Sequence, residues 1–164
     1  MRLVAILAAL GAVLVSATTA AAGITRTATT ASYSLTLNVG PTEMMYTQAQ
    51  VKAKHPKTGE VMLGGAMMSS AMNAMKGEAS RHLELHVHLR KTGAVVANVM
   101  PSIMVTDTTA MGMTSKVDVA TMEGVTAGAA DLHYGNDVSL KVGDTYSVRV
   151  VVNGEKASFT FKAA

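Results

Sequence analysis

Two stretches of this chain alternate apolar and polar residues strictly. In Ser32 to Val39, Tyr33, Leu35, Leu37 and Val39 take every second position. In His82 to Leu89, Leu83, Leu85, Val87 and Leu89 do the same. Successive side chains of a strand point to opposite faces, so each stretch predicts a strand with one core-facing side. Gly40-Pro41 ends the first strand. Met45 to Lys54 predicts a second strand with a poorer pattern. His55-Pro56-Lys57-Thr58-Gly59 predicts a turn, and Glu60 to Leu63 a return strand. Arg90-Lys91-Thr92-Gly93 turns into a strand over Ala94 to Val99, and further short strands are expected at Ile103 to Thr106, Lys116 to Ala120 and Val138 to Leu140.

Tyr146 to Val152 is β-branched enough to be a strong strand. Asn153-Gly154 then supplies the favoured type I′ hairpin dipeptide, and Ala157 to Lys162 returns with Ala157, Phe159 and Phe161 on one face. Seven to nine short strands punctuated by turns predict an all-β chain, an immunoglobulin-like antiparallel β-sandwich spanning residues 31–164. Residues 23–30, rich in Thr and Ala, read as a flexible N-terminal tail. Gly64 to Ser80 breaks the strand pattern: Met68, Met72 and Met75 fall on one face of a short helix. This Met-rich helix or flap either covers an open end of the core or reaches toward a metal.

Residues 1–22 carry a different pattern. Arg2 precedes an apolar run from Leu3 to Val15, too short to span a membrane, and Ala20-Ala21-Ala22 offers a cleavage site before Gly23. The expectation is a cleaved signal peptide, a periplasmic or secreted mature chain, and no membrane span once the signal is gone. Lys plus Arg total 14 against 11 acidic residues, with no basic run and few aromatics, so nucleic acid is not an expected partner. The chain has no cysteine, which removes disulfides, thiolate metal sites and thiol catalysis. It has 13 methionines, and thioethers with imidazoles are the donor set that suits copper in a cysteine-free protein.

Candidate chemistry concentrates on the second alternating stretch. His82, Glu84, His86 and His88 share the face opposite its leucines. Such a face can simply be wet, but three imidazoles and a carboxylate are also metal ligands. Residues i and i+2 lie about 7 Å apart, and His82 and His88 roughly 20 Å apart, so one ion can use only an adjacent pair plus a ligand from elsewhere. His133 is the nominee: Asp131-Leu132-His133-Tyr134-Gly135-Asn136-Asp137 reads as a loop entering a strand, where functional residues concentrate. Met111-Gly112-Met113 is a Met-x-Met pair in an expected loop, but nothing places it near a histidine. Glu84 suits a harder ion, or accepts a ring N–H from a ligating histidine.

Asp131, His133-Tyr134-Gly135, Val138, Leu140, Gly143, Tyr146 and Val148 resemble the C-terminal part of a bacterial family of periplasmic iron-transport accessory proteins, similar to the treponemal surface lipoprotein of that group. The resemblance covers the last third of the chain. It implies an immunoglobulin-like sandwich that works as a homodimer. It also implies a transition metal, copper in several members, held by histidines, a methionine and a carboxylate, and assistance to an inner-membrane iron permease. His133 stands on the family's His-Tyr-Gly motif. His82-Leu83-Glu84 has the spacing of its His-x-Glu pair. Met122 precedes His133 by eleven residues, farther than the family's ligand methionine, which implies an inserted loop. Asp137 stands where the family commonly has Asn.

The expected function is therefore an exported protein that binds copper, with iron as the alternative cargo, for uptake or delivery in the cell envelope. Its metal ligands are drawn from His82, Glu84, His86, His88, Met122 and His133. The competing reading is a non-catalytic immunoglobulin-like interaction or structural module of the envelope. No nucleophile elbow, HExxH or paired catalytic carboxylates are present, so no enzyme activity is expected.

Overall fold

The computed structural model describes residues 23–65, 78–109 and 112–164. The Met-rich segment around Met68, Met72 and Met75, residues 1–22 expected to be a signal peptide, and Met111 lie outside them. Two sheets face each other. The first joins β1 (Ile24–Thr29), β2 (Tyr33–Pro41), β3 (Met45–Thr47), β4 (Glu60–Gly65), β5 (Glu78–Leu89), β8 (Ala120–Gly124) and β9 (Gly128–Lys141), in the order β1-β2-β5-β9-β8-β4-β3. The second joins β6 (Ser102–Asp107), β7 (Thr114–Lys116), β10 (Thr145–Val152) and β11 (Glu155–Lys162), in the order β11-β10-β6-β7. All pairings are antiparallel except β3 with β4. The protein is an all-β sandwich.

The alternating stretches dictate the core. Tyr33, Leu35, Leu37 and Val39 of β2 and Leu83, Leu85 and Val87 of β5 bury against Ile103, Val148, Val150, Phe159 and Phe161 of the other sheet. Each such side chain contributes about 1.5–3 kcal/mol when fully withdrawn from water. The β10–β11 hairpin turns at Asn153 and Gly154, both at positive φ (47° and 85°), as a type I′ turn requires.

Several segments depart from the sequence expectation. Ile24 to Thr29 is not a loose tail: it pairs with β2 along its whole length, and Arg26 Nε donates across to the Thr160 carbonyl of the second sheet. Met45 to Lys54 is a strand for only three residues. Thr47 then caps α1 (Gln48–Lys54), forming a capping box with Gln50. Local capping and the good helix formers Ala, Gln and Lys win there because no alternating apolar set demands a strand. Glu60 to Gly65 consequently returns parallel to β3 rather than as a hairpin. Residues 94–99 form no strand beyond a single bridge between His88 and Val95, and Leu89 is 41% exposed rather than part of the core. The predicted strand 116–120 is split, because the chain crosses from one sheet (β7) to the other (β8) around buried Val117.

The largest departure is β9. Its fourteen residues run through the stretch read as a loop, and His133-Tyr134-Gly135 lies in the middle of a central strand. Asp, Gly and Asn are poor strand formers, but β5 and β8 flank this segment on both sides. Leu132 and Tyr134 point into the core, and the Asn136 amide donates to the Asp118 carbonyl. Among the described residues no helix is long and apolar enough to cross a membrane.

Candidate metal centre

Alternation places His82, Glu84, His86 and His88 on the face of the seven-stranded sheet turned away from the sandwich core. Cross-strand partners share a face, so register decides what joins them. On β9, Asp137 stands opposite His82 and Gly135 opposite Glu84. On β8, Met122 stands opposite His133, and on β4, Met62 stands opposite Met122. The hairpin between β8 and β9 therefore brings Met122 beside His133 although they stand eleven positions apart in sequence. Met122 and Met62 belong to a small apolar cluster with Met45 and Ala120, separate from the main core.

The imidazoles meet. The ring of His133 lies 5.8 Å from that of His82 and 5.3 Å from that of His86, centre to centre. These separations are compatible with one ion, since ligands on bonds of about 2.1 Å sit roughly 3.4 Å apart in a tetrahedral shell. No hydrogen bond, ion pair or ring contact joins His88 to this group; it sits opposite Ser34, at the Val95 bridge. Met113 is 70% exposed beside β7, at the edge of the other sheet.

Three acidic residues that the sequence reading did not nominate complete the cluster. A nitrogen from each of His86 and His133 and an oxygen of Asp131 lie within 4.8 Å of one another. Glu43, Glu60 and Glu84 form a second such group. The two groups adjoin, because His86 Nε2 is 3.4 Å from Glu84 Oε2 and His133 Nε2 is 3.6 Å from Glu60 Oε2. Asp131 was legible: read as strand, Asp131 and His133 fall on one face. Glu60 reaches the site through the antiparallel β4–β8 pairing, and Glu43, just before β3, through the parallel β3–β4 pairing, neither of which local sequence announces.

Hydrogen bonds select which ring nitrogens are free. His133 Nδ1 donates to the Asp131 carbonyl at 2.8 Å, which leaves Nε2 as the lone-pair nitrogen. His82 Nδ1 is 2.9 Å from Asp137 Oδ1. Both rings are completely buried, and His82 Nε2, His133 Nε2 and Glu60 Oε2 have no hydrogen-bond partner. The 3.6 Å between His133 and Glu60 is an ion-pair distance, too long for a hydrogen bond. Leaving a buried polar atom unpaired costs about 1–3 kcal/mol, so three in one place call for a ligand.

Burial and neighbouring carboxylates push the titrations apart. Burial, then the charge of Glu43, raises Glu60 to about 7, against a smaller opposing effect of His82. Glu84 falls to about 2: burial opposes this, but the His86 hydrogen bond, the His133 charge and the Asn38 amide outweigh it. His133 is itself shifted down by burial, against the Asp131 carbonyl and Glu84. Its charge therefore acts on Glu84 only in acid, where the ring is protonated. Burial alone would lower His82, yet the hydrogen bond and charge of Asp137, with Glu84 and Glu60, raise it. Neutral imidazoles and carboxylates beside a thioether form a donor set that fits a first-row transition metal.

Comparison with known families agrees with this chemistry. The model of the family described as Fe2+ transport protein matches residues 40–162, and the chain belongs to that family. The match takes in both the His82-Leu83-Glu84 strand and the His133 strand. The family points to a role in Fe2+ transport. No curated protein and no solved structure matches the chain.

Proposed function

We propose that this protein is a binding protein, not an enzyme, that carries a transition-metal ion for uptake in the cell envelope. Its ligands are drawn from His82, Glu84, His86, Met122 and His133 with Asp131 and Glu60. The observation that carries the reading is a set of unpartnered buried donors on one face: His133 Nε2, 3.6 Å from Glu60 Oε2, and Nε2 of His82, whose ring lies 5.8 Å from that of His133. A divalent cation replaces the lost hydration of all three at once. The carboxylate group of Glu43, Glu60 and Glu84 suits Fe2+, and the imidazoles with Met122 suit copper, so the same face serves either ion according to softness. The leader-like pattern of residues 1–22 supports work outside the cytoplasm. The sequence resemblance supports delivery to an inner-membrane permease by a homodimer.

The test is elemental analysis of the purified protein under reducing and oxidising conditions, followed by titration with Fe2+ without oxygen and with copper. About one bound ion per site is expected. His133→Ala should weaken binding more than 100-fold, while His88→Ala should leave it within about twofold, since a buried central ligand is lost in the first case and none in the second. Background metal in every preparation and no saturable titration would refute the reading.

A further inference from the structure

The rings of the site are not oriented in the same way. His133 is fixed by a main-chain carbonyl, which no substitution of Asp131 removes. His82 is fixed by a side chain, the Asp137 carboxylate, at 2.9 Å. Asp137 is the cross-strand partner of His82, so strand register itself holds the pair together. The other ring nitrogen, Nε2, is buried and without a partner. The His82 side chain is completely buried, whereas that of Asp137 is 18% exposed and lines a cleft of about 330 Å³ with Asp118 and Lys116.

We infer that Asp137 is a positioning residue for metal binding: its carboxylate accepts the Nδ1–H of His82, leaves Nε2 as the lone-pair nitrogen of a ring 5.8 Å from that of His133, and places a negative charge behind the ligand. A carboxylate behind a ligating imidazole fixes its tautomer and strengthens it as a donor. The charge also offsets that of a divalent ion in a buried site, which a neutral amide at this position cannot do. The inference rests on the metal-binding reading above.

Three forms of the full-length protein test it: wild type, Asp137→Asn and Asp137→Ala. Nitrogen-15 correlation spectra of the metal-free protein, at a pH where His82 is neutral, report its tautomer independently of any metal. Wild type and Asp137→Asn should show the Nδ1–H form, because the Asn carbonyl also accepts. Asp137→Ala should shift His82 to the Nε2–H form. Competition for Fe2+ against a chromogenic chelator without oxygen should show binding 10–100-fold weaker for Asp137→Ala, with Asp137→Asn in between. Wild-type affinity in Asp137→Ala, or an Nε2–H ring in the wild type, would overturn the role. Should the alanine variant not fold, the wild-type tautomer and the Asn variant decide: affinity of the Asn variant equal to wild type removes the part assigned to charge. A wild type that binds no Fe2+ or copper instead refutes the metal reading itself.

Discussion

At the scale of single residues, the site is a contest between burial and charge. Glu60 illustrates it: burial beside Glu43 raises its titration to about 7, so at neutral pH it is only partly ionised. Against the effect of burial, the hydrogen bond and charge of Asp137, with Glu84 and Glu60, shift His82 up as well. A cation must displace both protons, because a metal ligand has to be deprotonated. Fe2+ affinity should therefore fall about tenfold or more between pH 7.5 and pH 5.5, with proton release on binding. Calorimetric titrations in buffers of different ionisation enthalpy read the released protons directly; binding without pH dependence would show that neither group touches the ion. Glu84 should not contribute, since it stays ionised down to about pH 2.

At the scale of elements, β9 is the strand on which the site depends. It supplies Asp131 and His133 to the metal face, Leu132 and Tyr134 to the core, and Asp137 to His82. Its pairing with β5 is close at Gly135, which stands opposite Glu84. A methyl group there would overlap the Leu83 carbonyl, so the backbones would have to separate. Gly135→Ala should cost about 1–3 kcal/mol in a denaturant titration, typical of overpacking a tight interior. It should also weaken metal binding by displacing His133 relative to His86. A thermodynamically silent substitution would mean that β9 can shift without loss. Gly40 and Gly64, where an added methyl meets nothing within 4 Å and the backbone is not left-handed, provide matched controls.

At the scale of the whole molecule, the metal face couples stability to pH and to metal. Glu60 titrates higher in the fold than its ordinary 4.5, so its contribution to stability is complete below pH 4.5 and is lost as pH rises through about 7. His82 is also raised, and its contribution is lost as pH climbs above its ordinary 6.5. Glu84 has the opposite sign: its contribution is present above 4.5 and lost as pH falls toward about 2. His133 is shifted down, so its contribution is present above its ordinary 6.5 and is lost as pH falls below it. The metal-free protein should thus be most stable between about pH 5 and about pH 7 and weaker at both pH 3 and pH 8. Bound metal at 100 times its dissociation constant should add about 2.7 kcal/mol, most visibly at neutral pH and above. Thermal unfolding over pH 3–8, with and without Fe2+, checks the curve; identical profiles in both conditions would contradict it.

Much of this was written locally. Alternation determined β2 and β5, their share of the core and the face that carries His82, Glu84 and His86, because period-two patterning binds each residue to one side of a sheet, and β-branched content with the Asn153-Gly154 turn determined β10 and β11. The short range of strand spacing also showed that these groups need a ligand from another strand. Local pattern failed where tertiary pairing overrode propensity. Asp131 to Asp137 looks like a loop until two neighbouring strands supply hydrogen bonds on either side, and Ile24 to Thr29 looks like a tail until β2 pairs with it. Glu60 and Glu43 were invisible because long-range pairings bring them in, β4 with β8 for the first and β3 with β4 across α1 for the second, and contacts of that kind leave no periodic trace. The sequence by itself determined which residues could bind a metal; only the three-dimensional register decided which of them meet. His133 joins His82 and His86, and His88, equally suited in chemistry, stays apart.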